Sequence, residues 1–156
     1  VAENEAKAKL LHSIFFPDPG DSFVPTDHEY PPEKFAFQGV TKEHIDHAMR
    51  KLRRYKAAGP DDFPNEVFIW ARPQLAPIIH RFLQASFRLP YYSELWRTSK
   101  ICVLQKPGCD DYSLPGSWRP ISLLRNLVKI GSAAVAEILV TYSDRLGLIS
   151  SQHFLG

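Results

Sequence analysis

Between Ile101 and Leu124 the chain changes its rhythm. Ile101-Cys102-Val103-Leu104 is a compact apolar run, and Pro107-Gly108 closes it soon after. Residues 109–117 are polar, and Trp118 to Leu123 is a second apolar run. Two short runs of this kind, bounded by a Pro-Gly stop, read as an antiparallel hairpin with a long tip. The remaining periodicity is mainly helical. The chain therefore predicts an α+β fold: mostly helices, with one hairpin at residues 101–106 and 118–123. Thirteen prolines keep the elements short and separated by fixed turns.

The first helix is expected over 2–16, with Ala6, Leu10 and Ile14 on one side and Pro17 ending it. Residues 17–34 have no periodicity and read as an exposed linker. Phe35-Ala36-Phe37 reads as a short extended segment. Thr41 suits an N-cap. The helix after it carries Glu43 and Asp46 early and Arg50, Lys51, Arg53 and Arg54 late. It is expected to run to the break at Gly59-Pro60, with Ile45, Ala48, Met49, Leu52 and Tyr55 on its inner face. A loop over 56–64 leads to a short helix, Asn65 to Ala71. Pro77 suits the first turn of the next helix, whose stripe is Ile78, Ile79, Phe82, Leu83, Ser86 and Phe87. One more turn is expected over 92–97. Asn126 reads as the cap of a last helix with Val128, Val135, Ile138, Leu139, Tyr142 and Leu146 inward. Gly131-Ser132 would weaken it locally, and Gly147 suits its C-cap.

Charge is unevenly placed. Residues 1–48 hold 4 Lys/Arg against 9 Asp/Glu, whereas 49–156 hold 15 against 8. The basic excess thus lies with the hairpin and the Arg50–Lys56 stretch, as an anionic partner requires; a scattered, solubilising excess is the competing reading. No apolar run approaches the ~20 residues of a membrane span, and no secretory signal pattern opens the chain. Cys102 and Cys109 form no CxxC pair. A cytoplasmic or nuclear, reducing location is expected. Val1 and the final Gln152-His153-Phe154-Leu155-Gly156 read as cut ends.

Three places carry candidate chemistry. On the hairpin, Lys106 offers a point charge and Arg119 a planar fork, which together suit a polyphosphate. The competing arrangement pairs Arg119 with Asp110 or Asp111 and leaves Lys106 solvated. In the second place, Lys56-Ala57-Ala58-Gly59-Pro60-Asp61, Gly59 permits an unusual backbone angle and Pro60-Asp61 makes a turn. A plain helix cap and turn explains those two residues but not the flanking Lys56 and Asp61. The third is the basic stretch Arg50, Lys51, Arg53, Arg54 and Lys56, expected on a helix, where it either tracks a phosphate backbone or is a solvated face. His44 and His47 are three apart, but no third metal ligand matches them. No nucleophile–base triad and no two-metal carboxylate set is visible, so no catalytic or metal-binding residue is assigned.

The order of these segments resembles the reverse transcriptase domain of LINE-type (non-long-terminal-repeat) retrotransposons. Lys56 to Pro64 resembles the family's "K-x-x-G-P-D-x-x-P" opening, and Leu89-Pro90 through Leu95-Trp96-Arg97 its "P-x-x-W-K" segment. Ile101 to Gly108 with Asp111-Tyr112 resembles "P-x-x-K-P-G-K" and its "D-Y" continuation. Trp118 to Leu124 resembles "Y-R-P-I-S-L-L", and Leu127-Val128-Lys129-Ile130 the "x-x-K-I-x-E" helix. Leu148-Ile149 and Gln152 to Gly156 resemble "L-x-x-x-Q-F-G". The flavour is closest to elements of fungal genomes.

The resemblance implies an RNA-directed DNA polymerase of right-hand fold. Residues 1–34 would be an N-terminal helix and linker, and 35–156 a partial domain holding the fingers and the start of the palm. Lys106 and Arg119 would contact the incoming deoxynucleoside triphosphate. Arg50, Lys51, Arg53, Arg54, Lys56, Gly59 and Asp61 would lie near the RNA template and DNA primer. The family's Mg2+-binding aspartates, in "F-x-x-D" and "Y-A-D-D" segments, would lie beyond Gly156. This segment alone is therefore expected to hold no cofactor and to be inactive without the rest of the polymerase chain. A non-catalytic nucleic-acid-binding or interaction module, or an inert relic, is the alternative. Four positions depart from the family pattern. Asp62 stands for a glycine and Phe63 for a small aliphatic; Cys109 stands for a lysine, and Gly131-Ser132 for a segment with a glutamate.

Overall fold

The computed structural model describes residues 2–18, 20, 32 and 35–148. Most of the expected linker over 17–34, and the segment resembling "L-x-x-x-Q-F-G" from Ile149 onward, lie outside them. The chain is α+β: six α-helices and a two-stranded antiparallel sheet among the described residues. It clusters into two compact units, one drawn from Val1–Glu33 and Ile101–Ser122, the other from Lys34–Lys100 and Leu123–Gly156.

In the first unit, helix α1 (Ala2–Phe15) falls on the expected span, but Ala6, Leu10 and Ile14 are exposed. Glu3–Lys7 and Glu5–Lys9 pair one turn apart at 2.7 and 3.0 Å, exposed contacts that contribute little each. Strands β1 (Lys100–Gln105) and β2 (Trp118–Leu123) form the expected hairpin. The Lys106 N–H donates to the Ser117 carbonyl at 2.9 Å, which extends the ladder by one step.

The second unit is helical. Helix α2 (Lys42–Arg50) starts in a capping box. The Thr41 hydroxyl accepts from the His44 N–H, and the His44 ring accepts from the Thr41 N–H. His44 is thus committed to a cap. Helices α3 (Asn65–Trp70), α4 (Arg72–Arg88) and α5 (Glu94–Arg97) follow, then α6 (Asn126–Arg145) after the hairpin. Helix α2 packs against both α4 and α6. Ile45, Met49 and Ile130 are fully buried, with Ala76, Ile79, Leu83, Ala134 and Ile138 around them. Each large apolar side chain buried this way stabilises the unit by roughly 1.5–3 kcal/mol before entropy is counted.

Two glycines fit this packing. A Cβ on Gly131 would lie 3.2 Å from Leu83 Cδ2, so the glycine lets α6 approach α4 while the helix stays continuous. Gly147, at φ +60, closes α6. Its N–H donates to Asp144, and the Leu148 N–H to Ser143, the paired bonds of a Schellman motif.

Several expectations are corrected. Helix α2 ends at Arg50, well before Gly59, so Arg53, Arg54 and Lys56 are not helical. The reason is tertiary competition. Asn65 Nδ2 donates to the Arg53 carbonyl at 2.7 Å, and Glu66 Oε1 takes the Tyr55 N–H at 2.8 Å, groups that a continuing helix would have paired internally. Tyr55 consequently turns outward and is 90% exposed. Helix α4 begins at Arg72 with Pro73 in its first turn, which puts Pro77 inside it; Ile78, Phe82 and Phe87 stay substantially exposed. Asn126 does not cap α6: its side chain is buried and donates to the Phe63 carbonyl at 2.8 Å. Leu139 and Leu146 are exposed rather than inward. Residues 35–37 form no strand; Phe35 stacks on Tyr142 and Phe37 meets Phe87 edge-on.

Candidate nucleic-acid interface

The segment from Lys51 to Pro64 has no regular structure, yet its backbone is held at many points. Asn65 and Glu66, at the start of α3, hold Arg53 and Tyr55. Asn126 holds Phe63 from α6, and Lys129 Nζ reaches the Ala57 carbonyl at 3.5 Å. Gly59 is buried against the backbone that leads into α6. A Cβ there would lie 2.4 Å from the Leu124 carbonyl oxygen, 2.6 Å from its carbon and 2.7 Å from the Arg125 nitrogen. Gly59 is thus required for close approach and not, as expected, for an unusual backbone angle, since it is absent from the positive-φ residues.

The Gly59-Pro60-Asp61-Asp62 turn is closed by the Asp62 N–H donating to the Gly59 carbonyl at 3.1 Å, with Pro60 at the position it favours. Asp62 adopts φ 53, the left-handed region that glycine enters freely. This is the position where the resemblance set aspartate against glycine. Asp61 is half-buried, and its Oδ1, with Asn65 Oδ1 and Asn126 Oδ1, is buried without a partner among the described residues. These orphans are all acceptors, so the floor of the loop offers nothing to a phosphate.

The rim is different. Of the five cations between Arg50 and Lys56, two are engaged in ion pairs. Arg50 Nε donates to Asp46 at 2.7 Å, beside Arg72 at 3.3 Å on the same carboxylate, and Lys51 lies 3.4 Å from Glu137. His47 Nδ1 sits 2.8 Å from Glu137 and, with Lys51, holds that carboxyl below the usual carboxylate range. Arg53, Arg54 and Lys56 are exposed and make no ion pair among the described residues. The Tyr55 N–H, more than the Arg54 charge, holds the Glu66 carboxyl below its ordinary value. The pinned segment therefore exposes three cations flanking Tyr55 in the chain. The sequence hid Tyr55 by placing it on a helix face; the signal that could have found it is an aromatic residue inside a basic run.

On the hairpin, the Lys106–Ser117 bond sets a register that puts Leu104 opposite Arg119, so Lys106, two residues on from Leu104, shares a face with Arg119. Arg119 is exposed. Lys106 Nζ donates to the Gly116 carbonyl at 2.6 Å, which leaves two of its three N–H groups available. The tip between them is braced. The Tyr112 hydroxyl donates to the Lys106 carbonyl and Trp118 Nε1 to the Tyr112 carbonyl, at 2.8 and 3.0 Å. Asp111 accepts the Ser113 N–H at 2.7 Å, and the Ser113 hydroxyl, ahead of that N–H, holds its carboxyl below the ordinary value. Arg119 makes no ion pair with Asp110 or Asp111 among the described residues, so the competing arrangement is not the one present.

No three His, Cys, Asp or Glu side chains converge as metal ligands among the described residues. An apolar cleft of about 310 Å3 between α4, α5 and α6 is lined by groups such as Leu83, Phe87, Trp96 and Val135, with no charged side chain, and is unsuited to a phosphate. No described helix is long and apolar enough to cross a membrane.

No family model matches the chain. Curated proteins do. It is 30% identical over 97 residues to the transposon TX1 uncharacterized 149 kDa protein of Xenopus laevis, covering 62% of this chain and 7% of that protein. It is 28% identical over 100 residues to the probable RNA-directed DNA polymerase from transposon BS of Drosophila melanogaster, covering 64% and 11%. It is 27% identical over 105 residues to the RNA-directed DNA polymerase from mobile element jockey of the same organism, covering 67% and 11%. The chain is a distant relative of transposon RNA-directed DNA polymerases. It spans 11% or less of the length of these relatives.

Proposed function

We propose that these residues are the fingers and early palm of a non-long-terminal-repeat reverse transcriptase, and that they grip template and incoming nucleotide. In this reading Arg53, Arg54 and Lys56 take template phosphates, assisted at longer range by Arg50 and Lys51. Gly59 and Asp61 shape the loop that presents them. Lys106 and Arg119 hold the triphosphate of a deoxynucleotide. Residues 1–34 are an N-terminal helix and linker, and the metal-binding aspartates belong to a later segment of such a polymerase.

The observation that carries this reading is the pinned basic segment. Three cations that make no ion pair among the described residues are carried on a backbone fixed by Asn65, Glu66, Asn126 and Gly59. Fixing in advance the backbone that carries the cations lowers the entropic cost of binding. The ordered motifs and the polymerase relatives support the same reading.

A gel-shift titration of the chain with single-stranded RNA at several salt concentrations tests it. Binding that weakens steeply with salt is expected. Absence of a shifted species at low salt would overturn the proposal.

A further inference from the structure

Tyr55 stands out against the economy of the rest of the loop. A large aromatic ring 90% exposed packs against almost nothing of its own chain. It also sits at φ 59, a left-handed conformation that is a genuine outlier for a bulky residue. Two anchors hold the backbone on either side: the Tyr55 N–H donates to Glu66, and the Arg53 carbonyl accepts from Asn65. The backbone thus bears strain to hold the ring outward in water, where it gains no burial energy. Exposed Arg53, Arg54 and Lys56 flank it in the chain.

We infer that Tyr55 is a stacking platform for an unpaired base of single-stranded nucleic acid whose phosphates are held by Arg53, Arg54 and Lys56. The inference rests on the nucleic-acid reading above and adds to it a residue and a preference for unpaired strands. A phenol ring presents a flat face that any base can cover, and an adjacent cluster of cations supplies the sequence-independent hold on the backbone. Bases inside a duplex are already stacked and cannot reach the ring. Three arginine and lysine side chains, exposed and in no ion pair among the described residues, suit a polyanion and disfavour an apolar protein surface as the occupant.

The test uses the whole chain and a 12-nucleotide RNA bearing one 2-aminopurine, alone and as a duplex. Tyr55→Asn removes the aromatic face but keeps the turn, because asparagine enters the left-handed region readily. Tyr55→Phe keeps the face. The inference predicts that Tyr55→Asn weakens single-strand binding roughly tenfold or more, with its salt dependence unchanged because tyrosine neutralises no phosphate. It also predicts that Tyr55→Asn abolishes quenching of 2-aminopurine, has little effect on duplex binding, and melts no lower than the parent chain. Tyr55→Phe retains both affinity and quenching. If the parent chain binds the single strand and Tyr55→Asn binds it equally well, the stacking role is wrong and the template reading stands. If the parent chain binds neither strand form at low salt, both fall.

Discussion

Replacing Gly59 with alanine puts a methyl group where no space exists. The new Cβ would lie 2.4 Å from the Leu124 oxygen, 2.6 Å from the Leu124 carbon and 2.7 Å from the Arg125 nitrogen. All three are backbone atoms at the entrance to α6, so no side-chain rotation relieves the contact. The loop and the start of α6 must separate by several tenths of an ångström. They are tied together nearby by Asn126 on Phe63 and by Lys129 on Ala57. Overpacking of this kind costs about 1–3 kcal/mol, and loosening one buried hydrogen bond adds about 1 kcal/mol. A total near 2–4 kcal/mol is expected. Urea unfolding followed by circular dichroism reads it as a midpoint lowered by roughly 1–2 M at unchanged slope. Gly116→Ala is the control, because its Cβ would meet nothing within 4 Å. A Gly59→Ala midpoint within error of that control would refute the close approach and, with it, the pinned loop.

Other consequences follow from the same geometry. Asp62→Gly relieves the left-handed strain at φ 53 and is expected to change stability by only about 0.5–1 kcal/mol in the favourable direction; a lower midpoint would show that the aspartate side chain holds the turn. Glu66 has its folded pKa depressed from 4.5, chiefly by the Tyr55 N–H. Its contribution to stability is thus present above about 4.5 and is lost as pH falls through the lower folded value. Glu66→Gln should therefore lose less stability than the parent chain between pH 5 and 3, by about as much as one carboxylate contributes; parallel melting curves would contradict the assignment. In a complete polymerase containing this segment, Arg119→Ala should weaken deoxynucleotide binding by roughly 1.5–3 kcal/mol, as loss of a charged hydrogen-bonding partner does. Unchanged nucleotide affinity in pre-steady-state incorporation would remove Arg119 from that role.

The hairpin was legible because its determinants are local. Apolar runs at 101–104 and 118–123, with Pro107-Gly108 between them, leave little choice of pairing. Thr41 was legible as a cap for the same reason. The end of α2 was not. Local propensity continues the helix through Arg53 and Arg54, and only Asn65 and Glu66, over ten residues later, intercept the groups that would have continued it. Gly59 illustrates the same division. Its importance was readable, but the reason lies in Leu124, sixty-five residues away. Asn126 looked like a cap because capping is local, whereas its actual partner, Phe63, is distant in sequence. The candidate interface was therefore half visible: its cations could be read from composition, but their placement on a pinned, non-helical turn around Tyr55 could not.

Salt dependence of single-stranded RNA binding tests the central claim most directly, when the chain is compared with a variant carrying Arg53→Ala, Arg54→Ala and Lys56→Ala. Each phosphate neutralised on a single strand contributes about −0.7 to the slope of log affinity against log salt. Removing the three cations of the rim should therefore flatten the slope by about 2 while the unfolding midpoint stays near that of the parent chain. An unchanged slope in the triple variant would contradict the account and place the nucleic-acid contact, if there is one, elsewhere on the chain.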